Sequence, residues 1–212
     1  MLTVNRHTDA LLVIDVQNDF CPGGGLAVAD GQAVVPVING LMTHFDEVLL
    51  TQDWHPPGHR SFASAHPGRT PFETVQMPYG EQTLWPDHCV QGTSGADFHA
   101  GLNTTPARLL IRKGFRPGID SYSAFFENDR STPTGLTGYL RERGLKRLFL
   151  CGLATDFCVA YSALDARAQG FEVTVLLDGC RAIDLGGSLE GALTRMRQAD
   201  VAFGMSSQLE RA

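Results

Sequence analysis

An α/β fold, three layers built on a parallel, doubly wound sheet in one domain, is the class that this 212-residue sequence predicts. Three observations carry it. Short apolar runs alternate with helical patterns along most of the chain, the signature of strand–helix–strand units. The clearest runs are apolar at successive positions rather than at every second one, as in strands buried on both faces. Length is also right, since 212 residues with 43% hydrophobic and 19% charged side chains suffice for one sizeable core.

The first element is ALLVIDV (10–16), a continuous apolar run and hence a doubly buried strand. A helical stretch covers about 31–44, with Asp30 as its cap and Pro36 near the first turn, where a missing N–H does no harm. EVLLT (47–51) and RLLIR (108–112) are the second and third strands. TGLTGYLRER (134–143) is a helix closed by Gly144, and RLFLCG (147–152) is the next strand. A helix then runs from Thr155 to Gly170 with Phe157, Ala160, Tyr161, Leu164 and Ala168 on its packing face. FEVTVLL (171–177), the helical SLEGALTRMRQA and a short DVAFG strand complete the alternation. Residues 52–108 break it. They hold no convincing helix or strand, yet carry seven of eleven prolines, five of seven histidines and both tryptophans, and so long a stretch in a compact domain points to function.

Composition narrows the function classes. The net charge of −6 and the lack of any basic stripe argue against nucleic acid as a partner. No apolar run approaches the ~20 residues of a membrane span, and MLTVNRHTDA has no apolar signal core, so the expected location is cytoplasmic. Five scattered cysteines without a Cys-x-x-Cys pair fit neither a disulfide framework nor a zinc knuckle. PGGGL (22–26) lacks both the G-x-G-x-x-G spacing and a P-loop lysine, and reads as a turn.

Ligands of open parallel sheets lie beyond the carboxyl ends of the strands. Asp15 lies near the end of the first predicted strand there, and Asp53 with His55, Lys113 and Cys158 follow the ends of theirs. With Thr155 as cap, Cys158 falls on the opening turn of its helix, where N–H groups and the dipole favour a thiolate. Asp156 opposes this, so a nearby cation would help. Lys113 is one of only two lysines against fifteen arginines, and a Cys–Asp–Lys cluster would supply nucleophile, base and counter-charge. Asp53 and His55, two apart in extended chain, share a side and suit a divalent metal such as Zn2+, Fe2+ or Mn2+. Spacing leaves His59, His66, His88 and His99 as competitors for a third ligand position.

The runs LLVIDVQNDFCPGGGLAV, TQDWHPPGHRSFASAHPG, LWPDHCVQGTSGADFH, IRKGFRPGIDSYSAFF and CGLATDFCVAYSALDARAQG, in this order over about 10–205, together resemble the bacterial nicotinamidases/pyrazinamidases of the isochorismatase-like cysteine hydrolases. The resemblance implies a central, mainly parallel six-stranded sheet and hydrolysis of nicotinamide to nicotinate and ammonia in NAD salvage, with pyrazinamide as a second substrate. It implies Cys158 as nucleophile, Asp15 as acid–base, and Lys113 beside them. A cis peptide would lie between Leu153 and Ala154, with the Ala154 and Cys158 N–H groups as oxyanion hole. It further implies Phe20, Trp85 and Tyr122 as substrate walls, and one divalent metal ion, Zn2+ foremost, on Asp53, His55 and His88, with His59 as an added neighbour. The partner implied is a small molecule, with neither nucleic acid nor membrane, and a homo-oligomer is compatible. Isochorismatases proper lack the cysteine and the Asp-x-His loop. The competing readings are a sister amidase acting on a carbamoyl or ureido substrate, and a metal-binding protein on an inactive hydrolase fold.

Overall fold

The computed structural model describes residues 2–211. In chain order its elements are β1 (Leu2–Val4), β2 (Asp9–Ile14), α1 (Val34–Met42), β3 (Glu47–Asp53), β4 (Thr74–Met77), β5 (Gly80–Thr83), β6 (Ala107–Lys113), α2 (Leu136–Glu142), β7 (Arg147–Leu153), α3 (Ala160–Ala168), β8 (Glu172–Arg181), α4 (Ser188–Gln198), β9 (Ala202–Gly204) and β10 (Leu209–Arg211). Six of the strands form one sheet in the order β6-β3-β2-β7-β8-β9, and every pairing in it is parallel. Every residue of β2 and β3 is buried, as expected where both faces of a parallel sheet are covered. Helix α1 packs on β2, β7 and β8, while α3 packs on β8 and against α4. Among the described residues no helix is long and apolar enough to cross a membrane.

Several sequence expectations need correction. Asp30 does not cap α1 through its side chain; it sits in the left-handed region at φ 54° and opens a 3-10 turn (Gly31–Ala33) that leads into the helix. The long proline-rich segment does contain strands, the antiparallel hairpin β4–β5 around Pro78, Tyr79 and Gly80. Its strands are short and mostly polar, so no apolar period betrays them. The pairing of β1 with β10 joins the two ends of the chain and has no local signal either. Chain 155–159 is one π-helical turn, and regular α-helix starts only at Ala160. The wider turn rotates the helix after it, so Ala160, Ala163 and Ala166 are buried whereas Ala168 is exposed.

Candidate active site

The strand order reverses between β2 and β7, since β2 leads to β3 and β6 on one side and β7 leads to β8 and β9 on the other. Such a switch point opens a crevice at the carboxyl ends of the strands. Asp15 directly succeeds β2, Lys113 ends β6, Asp53 ends β3, and the cis peptide Leu153–Ala154 with the π-turn lies at the end of β7. Gly152 allows the close approach: it pairs with Ile14 at φ 119°, and a Cβ there would lie 2.1 Å from the Ile14 carbonyl oxygen.

Asp15, Lys113 and Cys158 meet in this crevice, all buried. The Lys113 Nζ lies 2.8 Å from Asp15 Oδ2, donates to Asp53 Oδ1 at 2.9 Å and to the Ser121 carbonyl at 3.0 Å, and reaches Cys158 Sγ at 3.5 Å. Thr51 completes the setting of Asp15. Its hydroxyl donates to Asp15 Oδ1 at 2.6 Å and accepts the Asp15 backbone N–H at 3.2 Å. Asp15 Oδ2 has the ammonium beside it but no aligned hydrogen bond, which leaves it as the oxygen free to take a proton.

Burial raises the Asp15 carboxyl above its ordinary range, with Lys113 only partly offsetting it. Burial would lower Lys113, yet Asp15 and Asp53 outweigh that and hold it well above the usual ammonium value, firmly charged. The thiolate expected at Cys158 is corrected: burial raises the thiol well above its ordinary value, Lys113 opposing and Asp15 adding to it. The resting group is therefore a thiol, and a base must take its proton. Nor does Asp156 face the sulfur. Its carboxylate accepts the N–H groups of Ile183 and Asp184 at 3.0 and 2.8 Å, and the Ser188 hydroxyl.

A second cluster adjoins the first. Asp53 Oδ2 lies 3.2 Å from His55 Nε2 and 3.5 Å from His88 Nε2. Both rings have their other nitrogen committed. His55 Nδ1 donates to the Gly114 carbonyl at 2.9 Å and His88 Nδ1 to the Pro86 carbonyl at 2.8 Å. In the neutral tautomers the two Nε2 lone pairs therefore face a carboxylate, an arrangement that calls for a cation between them. Burial disfavours charge at Asp53 and His55, but their mutual attraction wins, keeping the carboxyl well below its usual range and raising the imidazole. The donor set, one carboxylate and two imidazoles, fits a divalent metal. Gly114 is needed here as well, because at φ 67° a Cβ would lie 2.5 Å from the His55 ring.

Tertiary contacts discriminate among the competing histidines. His55 forms a bridge with Val90, and its N–H donates to the Cys89 carbonyl at 3.0 Å, which carries His88 to the cluster. His59 is near, its ring centroid 4.5 Å from that of His55, but both nitrogens are spent. Nδ1 accepts the Ser61 N–H at 3.2 Å and Nε2 donates to the Arg116 carbonyl at 2.8 Å. His66 and His99 bond to nearby backbone instead.

Cys158 of the first cluster and Asp53 and His88 of the second line one small cavity. Phe20, Trp85 and Tyr122 line it together with Asp53, His88, Ala154 and Cys158. Sequence reasoning missed Leu26, Phe157, Ile183 and Asp120, which line it too. Helical spacing makes Phe157 a packing residue; the π-turn instead directs it into the cavity, 4.8 Å edge-on from Trp85. Gln17 also escapes the sequence. It accepts the Asp53 N–H and donates to the Asp53 carbonyl, both at 2.8 Å, fixing the backbone of that residue.

Residues 9–206 match the isochorismatase domain. The chain belongs to the isochorismatase domain family. Within it, the chain is 55% identical over 192 residues to a nicotinamidase of Acinetobacter baylyi, covering 91% of this chain and 90% of that one. Two solved members share its fold. One is PnC1 from L. infantum in complex with nicotinate, with TM-score 0.87 and 41% identity over 100% of this chain and 99% of the other. The second is the pyrazinamidase of Pyrococcus horikoshii in complex with zinc, with TM-score 0.75 and 35% identity over 93% of this chain and 98% of the other.

Proposed function

We propose that this protein hydrolyses nicotinamide to nicotinate and ammonia through a thioester on Cys158. One observation carries the reading: Cys158, backed by Asp15 and Lys113, and the Asp53 and His88 members of the Asp53–His55–His88 cluster line the same small cavity with aromatic walls. A flat ring with a ring nitrogen at one end and a carboxamide at the other fits those two chemistries. The resemblance to nicotinamidases and to a nicotinate-bound relative supports it.

In the proposed mechanism Phe20, Trp85, Tyr122 and Phe157 hold the ring. Asp53, His55 and His88 would bind one divalent metal ion, Zn2+ by donor type, supplying a Lewis acid suited to a pyridine nitrogen. Asp15 Oδ2 takes the Cys158 proton as sulfur attacks the carbonyl carbon. The N–H groups of Ala154 and Cys158 stabilise the oxyanion, an effect commonly worth about 10²–10³ in rate. Asp15 then protonates the departing amine, and ammonia leaves a thioester. Water attacks it with Asp15 accepting the proton, and Asp15 returns that proton to the sulfur as the C–S bond breaks, which releases nicotinate and restores the thiol. Lys113 keeps the Asp15–Cys158 pair negatively charged throughout. Pyrazinamide, with the same ring-nitrogen and carboxamide arrangement, is a second substrate.

The test is ammonia release from nicotinamide by the metal-replete protein beside Cys158→Ala. Release that depends on Cys158 supports the reading. No release by the folded, metal-loaded protein refutes nicotinamide as substrate, and release by Cys158→Ala refutes the covalent route.

A further inference from the structure

Hairpin β4–β5 lies outside the central sheet, and Thr74, Gln76 and Glu81 on it are exposed. Gln82, in β5, is instead completely buried. Its Nε2 is within 2.9 Å of Asp120 Oδ2, 2.9 Å of the Tyr122 hydroxyl oxygen and 2.7 Å of the Thr83 carbonyl, while its Oε1 accepts from Tyr79 Oη and Asn128 Nδ2, each at 3.1 Å. The amide has one consistent orientation. Asp120 as a carboxylate only accepts, so the NH2 group must face it. Asn128 Oδ1 accepts the Tyr122 N–H at 3.0 Å, which turns its own NH2 group toward Gln82 Oε1.

The same Tyr122 hydroxyl accepts the Trp85 indole N–H at 3.1 Å. Asp120, Tyr122 and Trp85 all line the cavity, and Gln82 does not. We infer that Gln82 is a positioning residue: through one side-chain amide it holds the Tyr122–Trp85 wall and the Asp120 carboxylate in register, coupling the surface hairpin to the substrate pocket. Its kinetic consequence rests on the amidase reading above. Only a side chain with donor and acceptor at this length serves. Glutamate would set a second carboxylate against Asp120, and methionine would fill the space without any hydrogen bond.

The experiment uses the full-length, metal-replete protein with Trp54→Phe, so that Trp85 is the sole tryptophan reporter. Acrylamide quenching of Trp85 and steady-state kinetics on nicotinamide are measured for Gln82→Met, Gln82→Glu and Tyr122→Phe. Gln82→Met should raise Trp85 quenching and raise KM about tenfold, with kcat changed by about threefold or less, as befits lost positioning hydrogen bonds. Gln82→Glu should move both in the same direction, which keeps the test decisive if one variant fails to fold. Tyr122→Phe should raise quenching too, and adding Gln82→Met to it should add little, since both break one chain of contacts. Unchanged quenching and KM in a folded Gln82→Met protein, or fully additive quenching in the double variant, would overturn the inference. Should the unsubstituted protein release no ammonia, the amidase reading fails, while the quenching results still decide the role of Gln82.

Discussion

Replacing Lys113 by methionine removes one positive charge from the centre of the site at nearly constant volume. The ammonium is 2.8 Å from Asp15 Oδ2 and 3.5 Å from Cys158 Sγ, and is 1% exposed. Asp15 and Cys158 carry one negative charge between them whichever of the two holds the proton. Lys113 therefore sustains the charge of the pair rather than driving the proton across it. At an effective dielectric of about 20, a unit charge at these distances contributes about 5 kcal/mol, or roughly three to four pKa units. Burial already raises Asp15, and losing the cation raises the pair's first ionisation further. In Lys113→Met, kcat/KM for ammonia release at pH 7 should fall by about 10³. The acidic limb should move upward by roughly three pH units, with close to a tenfold rise per unit along it. Two buried carboxylates also lose a shared partner, and folding stability should drop by about 3–5 kcal/mol. Urea denaturation and metal content, measured on the same preparation, separate that loss from the catalytic one. A folded, metal-loaded Lys113→Met enzyme within tenfold of the unsubstituted rate at pH 7, with an unshifted acidic limb, would refute the reasoning.

Two further outcomes are expected. His55→Ala should lose bound metal on dialysis while His59→Ala retains it, because the His59 lone pair is already taken by Ser61; elemental analysis of the two proteins decides, and loss of metal in both variants would move the metal site to His55, His59 and Asp120. Glu127 has one carboxylate oxygen without a partner, and burial raises its pKa to about 7 from 4.5, with Arg116 only partly compensating. The native state thus binds the proton more tightly than the unfolded chain, so this group lowers stability as pH climbs from about 4.5 to about 7 and not beyond. Glu127→Gln should then raise the unfolding free energy from urea denaturation at pH 8, by a few kcal/mol at most, and leave it little changed at pH 4; equal effects at both pH values would contradict this.

Much of the fold was legible because doubly buried parallel strands carry continuous apolar runs at their centres. The runs at 10–16, 47–51 and 147–152 fall on β2, β3 and β7, with the ends off by one or two residues. Those ends matter, since Asp53 and Lys113 are the last residues of β3 and β6 rather than loop residues beyond them. The hairpin β4–β5 escaped because polar strands of four residues on the surface carry no period that burial would impose. The π-turn escaped for a different reason. Nothing in TDFCV separates it from an α-helical start, yet it decides that Phe157 faces the cavity and that Ala168 faces solvent.

The sequence by itself determined the strand–helix alternation, and with it the sheet edge at which Asp15, Asp53, Lys113 and Cys158 gather, because strand direction and the carboxyl-end rule depend on chain order alone. Its motifs also carried the resemblance that names His88. Tertiary structure alone decided which protons and lone pairs are free. His55 and His88 turn Nε2 toward Asp53 because backbone carbonyls of Gly114 and Pro86 take Nδ1, whereas Ser61 closes His59. Cys158 rests as a thiol because it is buried, whatever its place on a helix. Hydrogen-bond commitment and desolvation arise from residues far apart in the chain, and no local spacing encodes them.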